Sequence, residues 1–245
     1  MLLAFDIGNT NISMGVFKGR RLIARKSVPT KVPSYGRILK PLFSKFKIED
    51  VVICSVVPDA TKKLKKALEA VFPGRPLIIG KDIRVPIKNL YRKPSQVGQD
   101  RLVNAYAASL LFGAPLVVVD FGTAVTFDVI SKNKEYLGGM ILPGPGISLE
   151  ALAERTALLP RIKLARPREF IGRDTKNSIL SGIIIGMSLL SDSLILKLRK
   201  RFGSRLKAAG TGGDISIIGR YSREIKFIDH DLTLKGLQVI FEKCV

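Results

Sequence analysis

"DIGNTNIS", Asp6 to Ser13, closes an apolar run at the start of the chain, and "VVVDFGTAVTFDVI", Val117 to Ile130, repeats the phrase in mid-chain. In both, an aliphatic run ends in an aspartate and a glycine follows two positions later. Aligning Asp6 with Asp120 sets Gly8 against Gly122 and Asn9 against Thr123. A second apolar stretch follows each turn, "ISMGVF" in one and "TFDVI" in the other. Polar loops come next ("KGRR" and "SKNK"), then "LIARKSV" and "EYLGGMIL". Each half therefore opens as strand, tight turn, strand, turn, strand. Two such turns are either a pair of phosphate-facing loops or two ordinary hairpins.

The flanking sequence decides for the pair. Helical patterns follow the first meander at 34–46, at 60–71 after the strand "VVICSVV", and at 99–112 after "PLIIG". They follow the second at 148–156, 175–202 and 213–221. The order β-β-β-α-β-α recurs at a length far beyond any solenoid repeat. The expected fold is α/β, with two homologous tandem domains, 1–112 and 113–245, around an interdomain cleft.

With 245 residues, 46% of them hydrophobic and 25% charged, the chain can bury a core and is not a disordered polymer. Lys and Arg outnumber Asp and Glu by 41 to 20, a net charge of +21. Residues 1–112 hold 21 basic and 7 acidic side chains (+14), leaving 20 and 13 (+7) for residues 113–245. That field attracts phosphorylated or carboxylate ligands. The basic clusters "KGRRLIARK" and "KKLKK" lack interleaved aromatics and the chain has no Trp, so a solvated surface is favoured over a nucleic-acid interface. With two cysteines, no CxxC and one His, a zinc site is not expected. "MLLAFDIG" has no basic stretch ahead of its apolar run, so a secretion signal is not expected and the cytoplasm is the default. Asp192 and several serines interrupt the apolar stretch at 178–198, which favours a buried helix over a membrane span.

A glycine turn after a strand lets backbone N–H groups approach phosphate oxygens closely. Asn9, Thr10, Asn11 and Thr123 add neutral donors, and the aspartates can hold a cation directly or through water. Mg²⁺ bound with a nucleotide takes one or two carboxylates and fills its shell from phosphate and water. The paired loops resemble those of the actin, sugar-kinase and heat-shock-chaperone superfamily, whose domains have a ribonuclease-H-like fold. In that superfamily a late Gly-Gly turn, here "TGGD" with Gly212 and Gly213, lies under the adenosine.

Phosphoryl transfer to an alcohol calls for a carboxylate that takes the hydroxyl proton. "VGQDRLVNAYAA" supplies Asp100 at a helix start, with Arg101 beside it and Gly98 just ahead. An aspartate in a first helical turn also serves as a plain cap. The adjacent guanidinium, a forked donor for carboxylate or phosphate, favours the functional reading.

In order along nearly the whole chain, "DIGNTN", "VGQDRLVNA", "DFGTAVTFD", "GGMILPGPGISLEALAERTALLP", "GRDTKNSILSG" and "TGGD" resemble the type III pantothenate kinase family. The resemblance implies transfer of the ATP γ-phosphate to the 4′-hydroxyl of pantothenate, the first step of coenzyme A synthesis. It implies that Asp6, Ile7, Gly8, Asn9, Thr10, Asn11, Ile12 and Ser13 bind ATP, with Gly122, Thr123, Gly212 and Gly213. It makes Gly98, Gln99, Asp100 and Arg101 the acceptor segment, with Asp100 the base. Tyr91 and Thr175 would touch pantothenate, Thr175 in the partner subunit's site. Asp120 would hold an activating monovalent cation, K⁺ or NH₄⁺, and Asp6 would serve Mg²⁺ through water. Gln99 departs from the family's Ala or Val.

The helix after Asn177 carries apolar residues on more than one face, with Ser181, Gly182 and Gly186 allowing close approach, so a homodimer is expected. Asp128 and His230 read as ordinary hairpin and surface-turn polarity. The main alternative is a nucleotide- or nucleic-acid-binding regulator on the same fold with its chemistry lost. A kinase for another small alcohol is a third reading. The retained Asp6, Asp100 and Asp120 favour the enzyme.

Overall fold

In this computed structural model residues 1–245 are described, and they form two compact units. Unit 1 comprises Met1–Ile87, Arg92–Ala107 and Leu232–Val245; unit 2 comprises Lys88–Tyr91 and Ala108–Asp231. A division at 112/113 thus separates the two sheets but not the units. The C-terminal segment returns to the first unit, and Lys88–Tyr91 and residues 108–112 of the first half join the second.

Unit 1 holds strands β1 (Leu2–Ile7), β2 (Asn11–Lys18), β3 (Arg21–Pro29), β4 (Asp50–Ser55) and β5 (Leu77–Ile78) in the order β3-β2-β1-β4-β5. Unit 2 holds β6 (Leu116–Phe121), β7 (Ala124–Ile130), β8 (Tyr136–Pro143), β9 (Lys207–Thr211) and β10 (Phe227–Ile228) in the order β10-β9-β6-β7-β8. Read from the meander end, the two orders are the same. Each sheet has an antiparallel meander followed by parallel additions, β4 on β1 and β9 on β6. That repeat is the one expected from the two aspartate turns.

The helices are α1 (Gly36–Lys45), α2 (Pro58–Leu68), α3 (Gln99–Leu111), α4 (Pro145–Arg155), α5 (Thr175–Phe202), α6 (Ile215–Ile218) and α7 (Leu232–Cys244). The second half departs from a strict repeat, because α4 and α5 both precede β9. The sequence pattern also left α7 unassigned.

Strand periodicity decides what each face of β1 meets. Leu3, Phe5 and Ile7 join Leu39, Ala60 and Leu64 of α1 and α2 in one cluster. Leu2 and Ala4 join Val52 and Cys54 of β4, Val103 and Tyr106 of α3, and Leu234, Leu237 and Ile240 of α7 in another. A central strand covered on both faces is apolar at every position, which is why "LLAF" and "VVIC" do not alternate. Asp6 falls in register with Cys54, two positions beyond Ala4 and Val52. It therefore lies on the face that α3 and α7 cover. In unit 2, Val117, Val119 and Phe121 of β6 pack with Leu180, Ile184 and Ile195 of α5 and Ile215 and Ile218 of α6.

Helix α5 is 28 residues long, and by length and composition it is apolar enough to cross a membrane. Half of its most apolar window is buried within the fold. Its Asp192 accepts hydrogen bonds from Arg223 N (2.7 Å), Glu224 N (3.2 Å) and Ser222 Oγ (2.5 Å), which tie the 222–224 turn to the helix.

Candidate active site

Unit 1 brings together one set of the expected residues. The turn between β1 and β2 is closed by Gly8 N donating to Asn11 O (3.0 Å). Thr30 Oγ1 donates to Gly8 O (2.6 Å) and Thr30 N to Thr10 O (2.9 Å), fixing the turn from beneath. Asn9, Thr10 and Asn11 are exposed. Ile7 and Ile12 are buried in the core under α1 and α2, so only their backbone can serve one. Ser13 pairs with Asp6 across the strands.

Asp100 sits in the first turn of α3. Its Oδ1 accepts from Arg101 N (2.9 Å). A Cβ at Gly98 would collide with that same oxygen, so the glycine is what lets the carboxylate fold back. Desolvation raises the Asp100 pKa above the usual aspartate value, against the lowering influence of the Arg101 backbone and guanidinium. Cys54, fully buried on β4, links the two carboxylates. Burial pushes its thiol well above the ordinary range, and the negative charges of Asp6 and Asp100 add to the shift. Asp6 and Asp100, 94 positions apart along the chain (100 minus 6), are thus both near enough to one buried thiol for their charges to act on it. Gln99 points elsewhere. A Cβ at Gly80 would lie 2.6 Å from Gln99 Cδ, so this side chain lies over the turn after β5 and leaves the backbone of its own segment as the available part.

Unit 2 brings together a second set. Asp120, in register with Thr126 and Thr211, stands where β6 and β9 end side by side. Gly212 (φ +96°) follows, and a Cβ there would overlap Asp120 Oδ1 and Phe121 O. Asp214 N donates to Phe121 O (3.0 Å), tying the Gly-Gly turn to the end of β6. Gly122 N closes its own turn on Ala124 O (3.1 Å), and Gly144 N donates to Thr123 O (3.0 Å). Thr123 and Gly213 are exposed. "PGPG" is the joint between β8 and α4: Gly144 is the N-cap and Pro145 the first helical residue, where its missing N–H costs nothing.

Gly144 and Asp214 also belong to this cluster, though neither is a site residue on the sequence reading, which takes "PGPG" only as a rigid turn. Their signals were the "PGPG" turn and the aspartate after "TGG". Burial raises the Asp214 carboxyl. Tyr91, also in unit 2, is half-buried, and its N donates to Asn89 Oδ1 (3.0 Å). Thr175 is the exposed first residue of α5, after the N-cap Asp174, whose Oδ1 accepts from Asn177 N (2.8 Å). His230 is exposed in a turn, as expected. Asp128 is not hairpin polarity: it is fully buried in β7, and both its oxygens accept hydrogen bonds.

Nowhere do three His, Cys, Asp or Glu side chains gather as metal ligands. Each unit offers one carboxylate at a strand end, Asp6 on β1 in unit 1 and Asp120 on β6 in unit 2. A lone carboxylate of this kind fits a hard cation that draws most of its oxygens from phosphate, water and backbone.

The family model for type III pantothenate kinase matches residues 2–197. A type III pantothenate kinase of Myxococcus xanthus is 41% identical over 250 residues, covering 98% of each chain. One of Koribacter versatilis is 42% identical over 262 residues, covering 99% of this chain and 96% of that one. This chain belongs to the type III pantothenate kinase family. As a pantothenate kinase it is an ATP-using transferase of coenzyme A biosynthesis. Among solved structures, a Campylobacter jejuni protein described as a conserved Baf family transcriptional activator aligns with TM-score 0.62 and 22% identity, over 98% of both chains. The Clostridium difficile activator of 2-hydroxyisocaproyl-CoA dehydratase, with bound ADPNP, aligns with TM-score 0.54 and 12% identity, over 99% and 94%. At these identities the likeness is one of fold alone, and it gives this pantothenate kinase two tandem α/β domains of actin-like fold.

Proposed function

We propose that in this pantothenate kinase Asp100 is the base and that each of the two aspartate turns serves to bind ATP. The Asp100 carboxylate takes the proton of the 4′-hydroxyl. The freed oxygen attacks the γ-phosphorus, the bond from phosphorus to the β–γ bridging oxygen breaks, and ADP leaves. Arg101 and the Gly98–Gln99 backbone hold the acceptor, with Tyr91 and the partner's Thr175. The turns at Gly8–Ser13 and Gly122–Thr123 hold the phosphates, and Gly212 and Gly213 lie at the adenosine. A divalent ion, Mg²⁺, carried with the nucleotide near Asp6, and a monovalent cation, K⁺ or NH₄⁺, at Asp120 would neutralise phosphate charge when bound.

The observation that carries this reading is geometric: α3 packs on the sheet face that bears Asp6 and Cys54, and a Cβ at Gly98 would lie 3.7 Å from Cγ1 of Val56, whose N donates to Ile7 O (3.1 Å). The acceptor segment and the first aspartate turn thus share one end of one sheet. A carboxyl raised by desolvation also suits a proton acceptor better than a fully solvated one.

A homodimer is supported by α5. Gly182, Gly186, Leu189, Leu190, Ser193 and Leu196 form an exposed stripe, with the three leucines 44–52% exposed. Ile179 and Ile184, on the other faces of α5, are buried within their own chain. We place the protein as a soluble cytoplasmic enzyme, in keeping with its two free cysteines.

The deciding measurement is coupled ADP release with pantothenate and a panel of other small alcohols. Pantothenate-dependent release, slower when sodium replaces potassium, is expected. Release with another alcohol alone would reassign the acceptor. No release with any alcohol would favour the inactive regulator. Indifference to the cation would remove that role from Asp120.

A further inference from the structure

Residues Lys88–Tyr91 come from the first half of the sequence but belong to unit 2, and Tyr136 is what holds them there. Tyr136 N donates to Lys88 O (2.9 Å), and Leu90 N donates to Tyr136 O (2.9 Å), so Asn89 and Tyr136 form a parallel bridge at the open edge of β8. The side chains continue the arrangement. The rings of Tyr91 and Tyr136 lie 6.5 Å apart, tilted by 46°. The Tyr91 ring also rests over the bare α-carbon of Gly138 (φ +127°), where a Cβ would come within 3.4 Å of Tyr91 Cδ2.

Tyr136 is itself fixed from behind. Its ring is fully buried, and its hydroxyl donates to Asp128 Oδ1 (2.7 Å). Asp128 Oδ2 accepts from Thr126 Oγ1 (3.0 Å), and Thr126 stands opposite Asp120 in the sheet. A phenylalanine would fill the same space without burying a hydroxyl against a carboxylate, and burying polar groups is costly unless they are paired. Packing alone does not call for this pair. Orientation of the ring does.

We propose that Tyr136, held by Asp128, is a positioning residue that tunes affinity for pantothenate by fixing Tyr91 over Gly138. The proposal rests on the reading of Tyr91 as an acceptor contact.

The test is a double-mutant cycle on the intact enzyme with Tyr136→Phe, Tyr91→Ala and both together, measuring kcat and KM for each substrate. Tyr136→Phe should raise KM for pantothenate about tenfold, the scale of one lost buried hydrogen bond, and leave kcat and KM for ATP within about twofold. In the Tyr91→Ala background it should change KM for pantothenate by less than about twofold, because the residue it acts through is gone. Asn89→Ala, which removes the bond to Tyr91 N, should show the same split if Tyr136→Phe melts early. Equal effects of Tyr136→Phe in both backgrounds, or a parallel rise in KM for ATP, would overturn the proposal. A normal KM for pantothenate in Tyr91→Ala would instead remove Tyr91 from the acceptor site. A damaged Tyr91→Ala beside an unaffected Tyr136→Phe would reject only the positioning role.

Discussion

Asp100 combines a helix-start position, a glycine that admits its oxygen, and a half-buried setting whose desolvation disfavours its charge. The last feature fixes the sign of its pH dependence. Its carboxyl is raised by desolvation, so the ionised form that accepts a proton fills only above the usual aspartate range. Turnover should rise with pH through that raised value. Asp100→Asn should cost at least about 100-fold in kcat, the scale of lost general-base catalysis, while nucleotide binding persists. Stability runs the other way. The native state holds this proton more tightly than the unfolded chain does. The penalty is absent below the unfolded pKa and complete above the folded one. Asp100→Asn should therefore melt no lower than the parent at neutral pH. Normal turnover in the variant removes the base assignment, and a marked loss of melting temperature removes the desolvation account.

At the scale of elements, α7 is the helix that the sequence pattern left out, yet it completes the face on which Asp6 and Cys54 lie. Leu237 in α7 is fully buried among Leu2, Ala4 and Val103. Leu237→Ala should lower stability by about 2–5 kcal/mol, the range for truncating a buried leucine. Leu189→Ala, on the exposed stripe of α5, should change the isolated subunit by less than about 0.5 kcal/mol. Urea unfolding of the two variants, each in the monomer-forming Leu190→Asp background, checks the contrast, and a loss below about 0.5 kcal/mol for Leu237→Ala would mean that α7 is not part of the core. The outcome also shows what was legible. Both meanders and the full span of α5 could be read because local periodicity and glycine punctuation specify them. The return of α7 to unit 1 and the docking of Lys88–Tyr91 on β8 could not, since both depend on contacts between distant segments. The same limit applied in the site: Asp6, Asp100 and Asp120 stood out by type and context, whereas Tyr136 and the buried state of Asp128 emerge only once β7 and β8 are paired.

At the scale of the whole molecule, the proposed reading needs two copies. Exposed leucines in a row beside Gly182 and Gly186, where an added Cβ meets nothing within 4 Å, leave room for a close helix-to-helix contact. Thr175 begins the same helix, so a contact along α5 would bring it near a second subunit. Sedimentation should report twice the chain's 26.9 kDa, and Leu190→Asp should shift the protein to one copy, because a charge at that contact must be desolvated without a partner. Subunit mixing separates a dimer that merely packs from one that shares its site. An Asp100→Asn subunit paired with a Thr175→Arg subunit leaves one site with an intact base and an intact partner threonine. Random pairing makes half of the dimers mixed, each with one good site of two, so roughly a quarter of parental activity should return from two nearly inactive pools. If Thr175 instead serves its own subunit's site, each site in the mixed dimer carries one of the two lesions and no activity returns. An active monomer of Leu190→Asp would independently show that one chain's residues suffice.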